Sequence, residues 1–204
     1  MQKEHKSLDV PAQPSVQAIC NEARELGALD AVVISPSRQM FTATWVRLRC
    51  QYGCSEYGQC LTCPPHSPTP ETTRKMLDDY QTAILLHGDN WESVRDIART
   101  LEHKVFLAGY YKAFAFVCGP CWLCKTCVVA KQKPGKVPEC KHPDLARPSM
   151  EAVGIDVFAT ARAAGLPIEV YNLRSARRIT MPWCWWSRRL QCAESALLRY
   201  PKYE

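Results

Sequence analysis

The chain has 204 residues, of which 47% are hydrophobic and 23% are charged, enough for one compact domain with a sizeable core. No apolar run is long enough to cross a bilayer, and the polar N-terminus lacks the apolar stretch of a secretory signal, so we expect a cytoplasmic protein with no membrane partner. The formal net charge is +6, but residues 177–204 alone contribute +4. The nearly neutral remainder argues against a nucleic-acid partner.

Hydrophobic spacing and capping residues predict alternating helices and strands. In chain order we expect a helix over residues 16–26, a strand over 31–34, a loop over 49–68, a helix from 70 to about 80, a strand over 83–86, a helix over 91–108, a strand over 113–117, a helix over 150–164 and a strand over 168–171. The clearest helix start is Thr69-Pro70-Glu71, a capping hydroxyl followed by proline and an acid. Alternating elements predict an α/β fold, with α+β as the alternative: a single compact domain with a small mixed sheet, flanking helices and two cysteine-rich loops.

Twelve cysteines form the main chemical signal. In a reducing cytosol, cysteines separated by two residues are metal ligands more often than disulfides. Thiolate is a soft ligand that favours zinc, copper(I) or iron–sulfur over magnesium and calcium. The first group consists of Cys50, Cys54, Cys60 and Cys63. The second group consists of Cys121, Cys124, Cys127 and Cys140, with Cys118 just before it.

The spacing of the second group favours an iron–sulfur cluster. Three cysteines at intervals of three can wrap a loop around a cubane cluster, and a distant cysteine can close the site, as in ferredoxins. A proline after a closing cysteine, as at Cys63-Pro64, belongs to the same pattern. Zinc is the alternative, because two Cys-x2-Cys pairs can form a zinc ribbon. Buried free thiols without metal are the remaining explanation.

Two long motifs resemble those of an uncharacterised prokaryotic family described as predicted metal-binding proteins (domain of unknown function 2284). The first reads Arg-Leu-Arg-Cys-Gln-Tyr-Gly-Cys at residues 47–54 and Cys-Pro-Pro-His-Ser-Pro-Thr-Pro-Glu at 63–71. The second comprises Gly-Pro-Cys-x2-Cys-x2-Cys at 119–127, Cys-Lys-His-Pro at 140–143 and Ala-Arg-Pro-Ser-Met-Glu-Ala-x-Gly-Ile-Asp-Val at 146–157. The resemblance covers about residues 15–176.

The resemblance implies metal binding and a set of ligands. Carried over residue by residue, these ligands are Cys50, Cys54, Cys63, Cys121, Cys124, Cys127 and Cys140. Cys60 is not a fixed feature of the family, and here it could complete the first site; without it, one iron of the first cluster would stay open to a substrate. Cys118 precedes the family motif and is a spare thiol.

Three residues outside these sets receive simpler predictions. Arg147 is predicted to hydrogen-bond a loop carbonyl or a nearby carboxylate, with anion binding as the alternative. Glu151 is predicted to act as a helix-start acid. Cys20 lies in an amphipathic helix and is predicted to be a core residue.

The composition changes abruptly near the end of the chain. Three of the six tryptophans lie within residues 183–186, in a basic segment. Shifting the reading frame from Thr180 onward turns this segment into Ala-(Leu, Met or Val)-Val-Leu-Val, an apolar strand that could pair and be buried. We therefore divide the chain into a flexible N-terminus (1–14), a cysteine-rich metal-binding domain (15–176) and a tail (177–204) read out of frame, unable to form that strand. A genuine aromatic and basic appendage is the alternative.

These observations predict a protein with two [4Fe-4S] clusters. One would be held by Cys50, Cys54, Cys60 and Cys63, and the other by Cys121, Cys124, Cys127 and Cys140. The predicted role is electron transfer or redox chemistry with a partner enzyme. The first alternative is a zinc-binding structural or interaction module, and the second is a thiol-based redox or metal-delivery protein. The sequence contains no phosphate loop and no convincing catalytic set, so it predicts no enzyme class and no oligomeric state.

Overall fold

The computed structural model describes residues 13–131 and 138–168, together with the backbone of residues 193–199. The described helices are α1 (Val16–Glu25), α2 (Pro36–Gln39), α3 (Thr44–Gly53), α4 (Pro70–Asp78), α5 (Trp91–Leu107) and α6 (Val157–Ala163). The strands are β1 (Asp30–Ile34), β2 (Thr82–Gly88), β3 (Phe114–Phe116) and β4 (Ala193–Arg199), and 3₁₀ turns occur at Val128–Lys131 and Glu151–Val153. Within these residues, no helix is both long and apolar enough to cross a membrane.

The strands form one sheet in the order β1-β2-β4-β3, with antiparallel neighbours throughout. Ala31 lies opposite Leu86, which sets the register of the first pair. The predicted fold class, with helices flanking a small sheet, is confirmed. In the described residues, the parallel part of the expected mixed sheet is limited to an isolated bridge between Val117 and Ser149. Helices between successive strands did not make those strands parallel. The segment from α2 to α4 leads the chain from the end of β1 back along it, so β2 pairs antiparallel to β1.

Strand β4 comes from the segment that we predicted to be an out-of-frame tail. We expected a tail of this composition to form no strand, and for residues 193–199 that expectation is wrong. Their backbone pairs with β2 on one side and with β3 on the other. The physical reason is that β2 and β3 would otherwise face each other with unpaired amides and carbonyls, which an extended segment satisfies. Whether the tail is read out of frame stays a prediction.

The core has two parts, and β2 is buried between them. Ile84 and Leu86 pack with α1 and α5 in the first part, whereas Ala83 and Leu85 belong to the second. This alternation follows from the two-residue period of a strand. Cys20, only 1% exposed, lies in the first part, as predicted for a core residue.

Two local predictions were wrong. Cys50 lies in the last turn of α3, although residues 49–68 were predicted to be loop. The helix predicted over residues 150–164 is interrupted after the turn Glu151–Val153, because Gly154 adopts a left-handed conformation with φ of 83°. The chain then restarts as α6, where the side chain of Asp156 accepts a hydrogen bond from the Ala159 amide. Of the strand predicted over residues 168–171, only residue 168 is among the described residues.

Candidate metal centre

The first cysteine group follows the end of α3 into a tightly turned loop. Cys50 is in the last helical turn, and Cys54 is the exposed residue that caps it. Further along, the Cys63 amide donates to the Cys60 carbonyl at 3.0 Å, and the Cys63 carbonyl accepts from the amides of His66 and Ser67. The first group therefore consists of four cysteines within fourteen consecutive residues, at the end of a helix and in the turns that follow it.

Side chains of the first motif hold the backbone of the second motif. Nη1 of Arg47 lies 2.8 Å from the Ala152 carbonyl and 2.9 Å from Oγ of Ser67. The Ser67 hydroxyl also donates to the Ala152 carbonyl, and the Thr73 hydroxyl donates to the Val153 carbonyl at 2.8 Å. Two motifs about a hundred residues apart in sequence are therefore fixed side by side by buried, charge-assisted and neutral hydrogen bonds.

Gly154 completes this junction because the chain passes directly over the start of α4. A Cβ added at Gly154 would lie 2.4 Å from Cγ and 3.1 Å from Cα of Pro70. A side chain at this position would therefore displace the proline ring and the helix start behind it. The proximity explains why a glycine in the second motif accompanies a proline in the first.

The second cysteine group surrounds a cavity whose empty space is about 370 Å3, part of it open to solvent. Every predicted ligand of the second site lines it, and Cys60 of the first group lines it as well. Apolar side chains make up much of the remaining wall. The lining residues are Cys60, Leu61, Thr62, Cys121, Leu123, Cys124, Cys127, Val128, Cys140, Lys141, His142 and Ala146.

Cys60 connects the two groups. Its thiol lies 3.7 Å from the Cys121 carbonyl, to which it donates, and it accepts a hydrogen bond from the Cys63 thiol. This bond raises the pKa of Cys63, with burial adding to the rise, and it lowers the pKa of Cys60. Both side chains are less than 10% exposed. Cys60 is consequently the more acidic thiol of the pair and is in contact with both predicted sites.

The other thiols with shifted pKa values at the centre favour the protonated form when no metal is bound. Burial raises the pKa of Cys50 to about 11, helped by the negative charges of Glu151 and Cys54 and opposed by Arg47. Burial also raises the pKa of Cys121. Because metals bind thiolates, a metal would have to displace these protons. The backbone amide of His142 already donates to the Cys140 sulfur at 3.4 Å, a contact that would stabilise a thiolate.

The donor set fits a thiolate-binding metal. Among the described residues, no three Cys, His, Asp or Glu side chains already converge as a metal site. Even so, five thiols line one cavity whose lining contains no carboxylate, and Cys63 touches one of them. Soft sulfur ligands in an apolar setting suit zinc, copper(I) or iron–sulfur, whereas calcium and magnesium need oxygen.

Two residues outside the ligand sets have structural roles. The Cys118 thiol donates to the Trp91 carbonyl at 3.0 Å within the first core, and Cys118 does not line the cavity. Nε of Arg147 binds both carboxylate oxygens of Glu102, at 2.9 and 2.8 Å, and its Nη1 donates to the Pro143 and Ala146 carbonyls. The predicted hydrogen bonds of Arg147 are confirmed.

Sequence reasoning missed Glu102 as the partner of Arg147. Glu102 is only 7% exposed and stands on the apolar face of α5, beside Ala98, Leu101 and Val105. A single acid within such a face was the available signal, because a buried carboxylate needs a partner. The sequence contains no comparable signal for the hydrogen bonds by which Arg47 joins the two motifs, since the Ala152 carbonyl that it binds is a backbone group far away in sequence.

A family model described as "Predicted metal-binding protein (DUF2284)" matches residues 33–182, well over half of the chain. The chain belongs to this family. The DUF2284 match spans both cysteine groups and both motifs, and it starts at β1, later than the residue 15 expected from the resemblance. It ends at residue 182, within the predicted tail. No curated protein and no solved structure matches the chain.

Proposed function

We propose that this DUF2284 protein binds two [4Fe-4S] clusters and transfers electrons to or from a partner enzyme in the cytoplasm. Cys50, Cys54, Cys60 and Cys63 would hold the first cluster. The second would be held by Cys121, Cys124, Cys127 and Cys140. Clusters of this kind exchange single electrons, at potentials set by hydrogen bonds to sulfur and by exposure.

The position of Cys60 carries the proposal. Its thiol hydrogen-bonds to Cys63 of its own group and to the Cys121 carbonyl of the other. Two centres bound on either side of such a contact would be neighbours, as a pair that relays electrons requires. A zinc ribbon would also bring two thiol pairs together, but one zinc ion binds four thiolates and would leave the other four cysteines of the two groups without a metal.

The surroundings of the second group suit a redox centre. Leu61, Leu123 and Val128 would limit the access of water, which affects potential. The amide that donates to the Cys140 sulfur would stabilise the negative charge of a reduced cluster.

A partner enzyme would need a docking surface, and the outer face of α3 offers one. Trp45, Leu48 and Tyr52 are 44%, 54% and 78% exposed and follow one another at helical spacing on the helix that contains Cys50. An exposed apolar patch of this kind is typical of an interaction site.

The decisive experiment is anaerobic purification followed by iron, sulfide and zinc analysis and a visible spectrum. The proposal requires a brown protein with about eight irons and eight sulfides per chain. A colourless protein with about one or two zinc ions per chain would refute it and support the zinc module.

Two matched variants test the assignment of Cys60. Cys60→Ala and Cys118→Ala each remove a buried thiol, 7% and 8% exposed. We expect Cys60→Ala to lose about half of the iron, one cubane cluster, and Cys118→Ala to keep the full amount. Equal iron content in both variants would show that Cys60 is not a ligand.

A further inference from the structure

A second cavity lies next to the cysteine-lined one, between α5 and the loops on either side of the second cysteine group. Its empty space is about 390 Å3, partly open to solvent. Cys121 and Leu123 line both cavities, so the two share a wall. The lining residues are Arg95, Arg99, Val117, Pro120, Cys121, Trp122, Leu123, Leu145 and Arg147.

Three guanidinium groups give this cavity its charge, and no acid lines it. Arg95 and Arg99 are four residues apart on α5 and therefore lie on one face of the helix. Arg147 approaches from the opposite loop. Asp96 pairs with Arg95, on which Glu92 also acts, and Glu102 pairs with Arg147. Arg99 is the one of the three to which no described acid is hydrogen-bonded.

Arg99 supplies the donors that no described residue uses. Its Nε is buried and has no hydrogen-bond partner in the described part of the chain. Its nearest acid is the Asp96 carboxylate, 3.8 Å from Nη1 and beyond hydrogen-bonding distance. The Arg99 side chain as a whole is 21% exposed and lines the cavity, so its guanidinium is available to an anion there.

The rest of the wall is apolar and aromatic. Trp122 and Leu145 are about half exposed, and the Trp122 ring lies 6.5 Å from that of Trp91, over which Arg95 stacks at 5.2 Å. Guanidinium groups on one side and apolar surface on the other fit a molecule with a charged end and an apolar body.

We infer that this cavity binds a small organic anion, a carboxylate or a phosphate ester, directly beside the second cysteine group. Arg99 and Arg147 face its oxygens, and Trp122 and Leu145 contact its body. The inference does not depend on which metal the cysteines hold, because the arginines and the cavity are defined without it. A ligand here would reach the metal centre through Cys121 and Leu123.

The test is calorimetric titration of the full-length, anaerobically purified protein with inorganic phosphate, benzoate and phenyl phosphate at constant ionic strength. We expect one site per chain, tighter for phenyl phosphate than for phosphate. Arg99→Gln should weaken binding about tenfold, the cost of one charge-assisted hydrogen bond. The control is Lys75→Gln, which removes an exposed positive charge on α4. Benzoate binding more tightly than phenyl phosphate would assign the site to carboxylates, and the reverse order to phosphate esters.

Arg95→Gln is the second variant, used if Arg99→Gln fails to fold as judged by circular dichroism; because Arg95 lines the same cavity, this variant should also weaken the binding of phenyl phosphate, and unchanged binding would contradict the inference. If none of the three probes binds at concentrations up to about 10 mM, which exceeds the dissociation constant expected for a small charged ligand, the inference is overturned. Equally weakened anion binding in Lys75→Gln would also overturn the inference, because the effect would then come from the protein's net charge and not from the cavity. The inference would likewise be overturned if a single-stranded oligonucleotide bound more tightly than the three small probes and displaced phosphate. Metal content measured on the same samples separates these outcomes from failure of the iron–sulfur proposal.

Discussion

Replacing Gly154 with alanine should be among the most damaging single-methyl changes in the domain. A residue with a side chain costs about 1–2 kcal/mol in the left-handed conformation that Gly154 adopts. The new Cβ would also lie 2.4 Å from Cγ and 3.1 Å from Cα of Pro70. Relief requires the start of α4 to move, and overpacking of this kind costs about 1–3 kcal/mol. Together these effects predict a loss of about 2–5 kcal/mol in the free energy of unfolding.

Gly165→Ala is the matched control. Gly165 has a similar φ of 75°, but an added Cβ would meet nothing within 4 Å. It should therefore lose only about 1–2 kcal/mol, the conformational cost alone. The assay is urea unfolding of both variants and the unchanged protein, followed by circular dichroism in the presence of chelator. The difference between the variants measures the contact with Pro70.

The same change should reach the metal centre. The shifted helix start is continuous with the segment from Cys63 to Ser67, which hydrogen-bonds to Ala152. Metal content after purification should therefore fall in Gly154→Ala and stay unchanged in Gly165→Ala. Equal destabilisation of the two variants would refute the reasoning, because the conformational cost would then explain everything.

Three further predictions follow from other parts of the molecule. Arg147→Met leaves the buried Glu102 carboxylate unpaired and should lower the free energy of unfolding, measured in urea titrations, by about 3–5 kcal/mol. The double variant Arg147→Met/Glu102→Leu should recover part of this loss. A loss below about 1 kcal/mol in Arg147→Met would contradict the role of the pair. The Cys50 thiol has a pKa raised from 9.0 to about 11, so the folded metal-free protein holds this proton more tightly than the unfolded chain. Its contribution, at most about 3 kcal/mol for a rise of two pKa units, should be present below pH 9 and be lost as pH rises through 11. An unchanged pH dependence of the free energy of unfolding in Cys50→Ser would contradict this prediction. Sequencing the gene from independent isolates should reveal a different reading frame after Thr180, one that encodes an apolar strand. If those isolates contain the present reading frame intact, the tail prediction is refuted.

Local signals predicted the starts of α1 and α4. Thr69 accepts a hydrogen bond from the Thr72 amide, as the motif at residues 69–71 indicated, and Ser15, directly before the helix expected from residue 16, accepts one from the Ala18 amide. Capping depends on residues within one turn, so the sequence contains the whole interaction. The strand at Ala31 was also predicted from apolar residues adjacent in sequence, although it lies at the edge of the sheet and Val33 is 46% exposed.

The errors arose where distant contacts decide the structure. The chain turns at Gly154 directly beside Pro70, and no local pattern reveals that the two meet. The position of Cys60 beside Cys121 likewise depends on how two loops pack, whereas spacing along the chain suggested only membership in the first group. The helical state of Cys50 was missed because glycine and proline follow it closely, although Gly53 is itself the last residue of α3.

The place of β4 in the sheet has a consequence for folding kinetics. It lies between β2 and β3, yet it follows all the other described elements in the chain. Pairing of distant segments is slow, because chain entropy must be lost before the contacts form. Until residues 193–199 arrive, β2 and β3 each present an open edge at what will be the middle of the sheet. A nascent or partly unfolded chain is therefore most exposed to strand-mediated association there, and dilution or a chaperone should help it most during that interval.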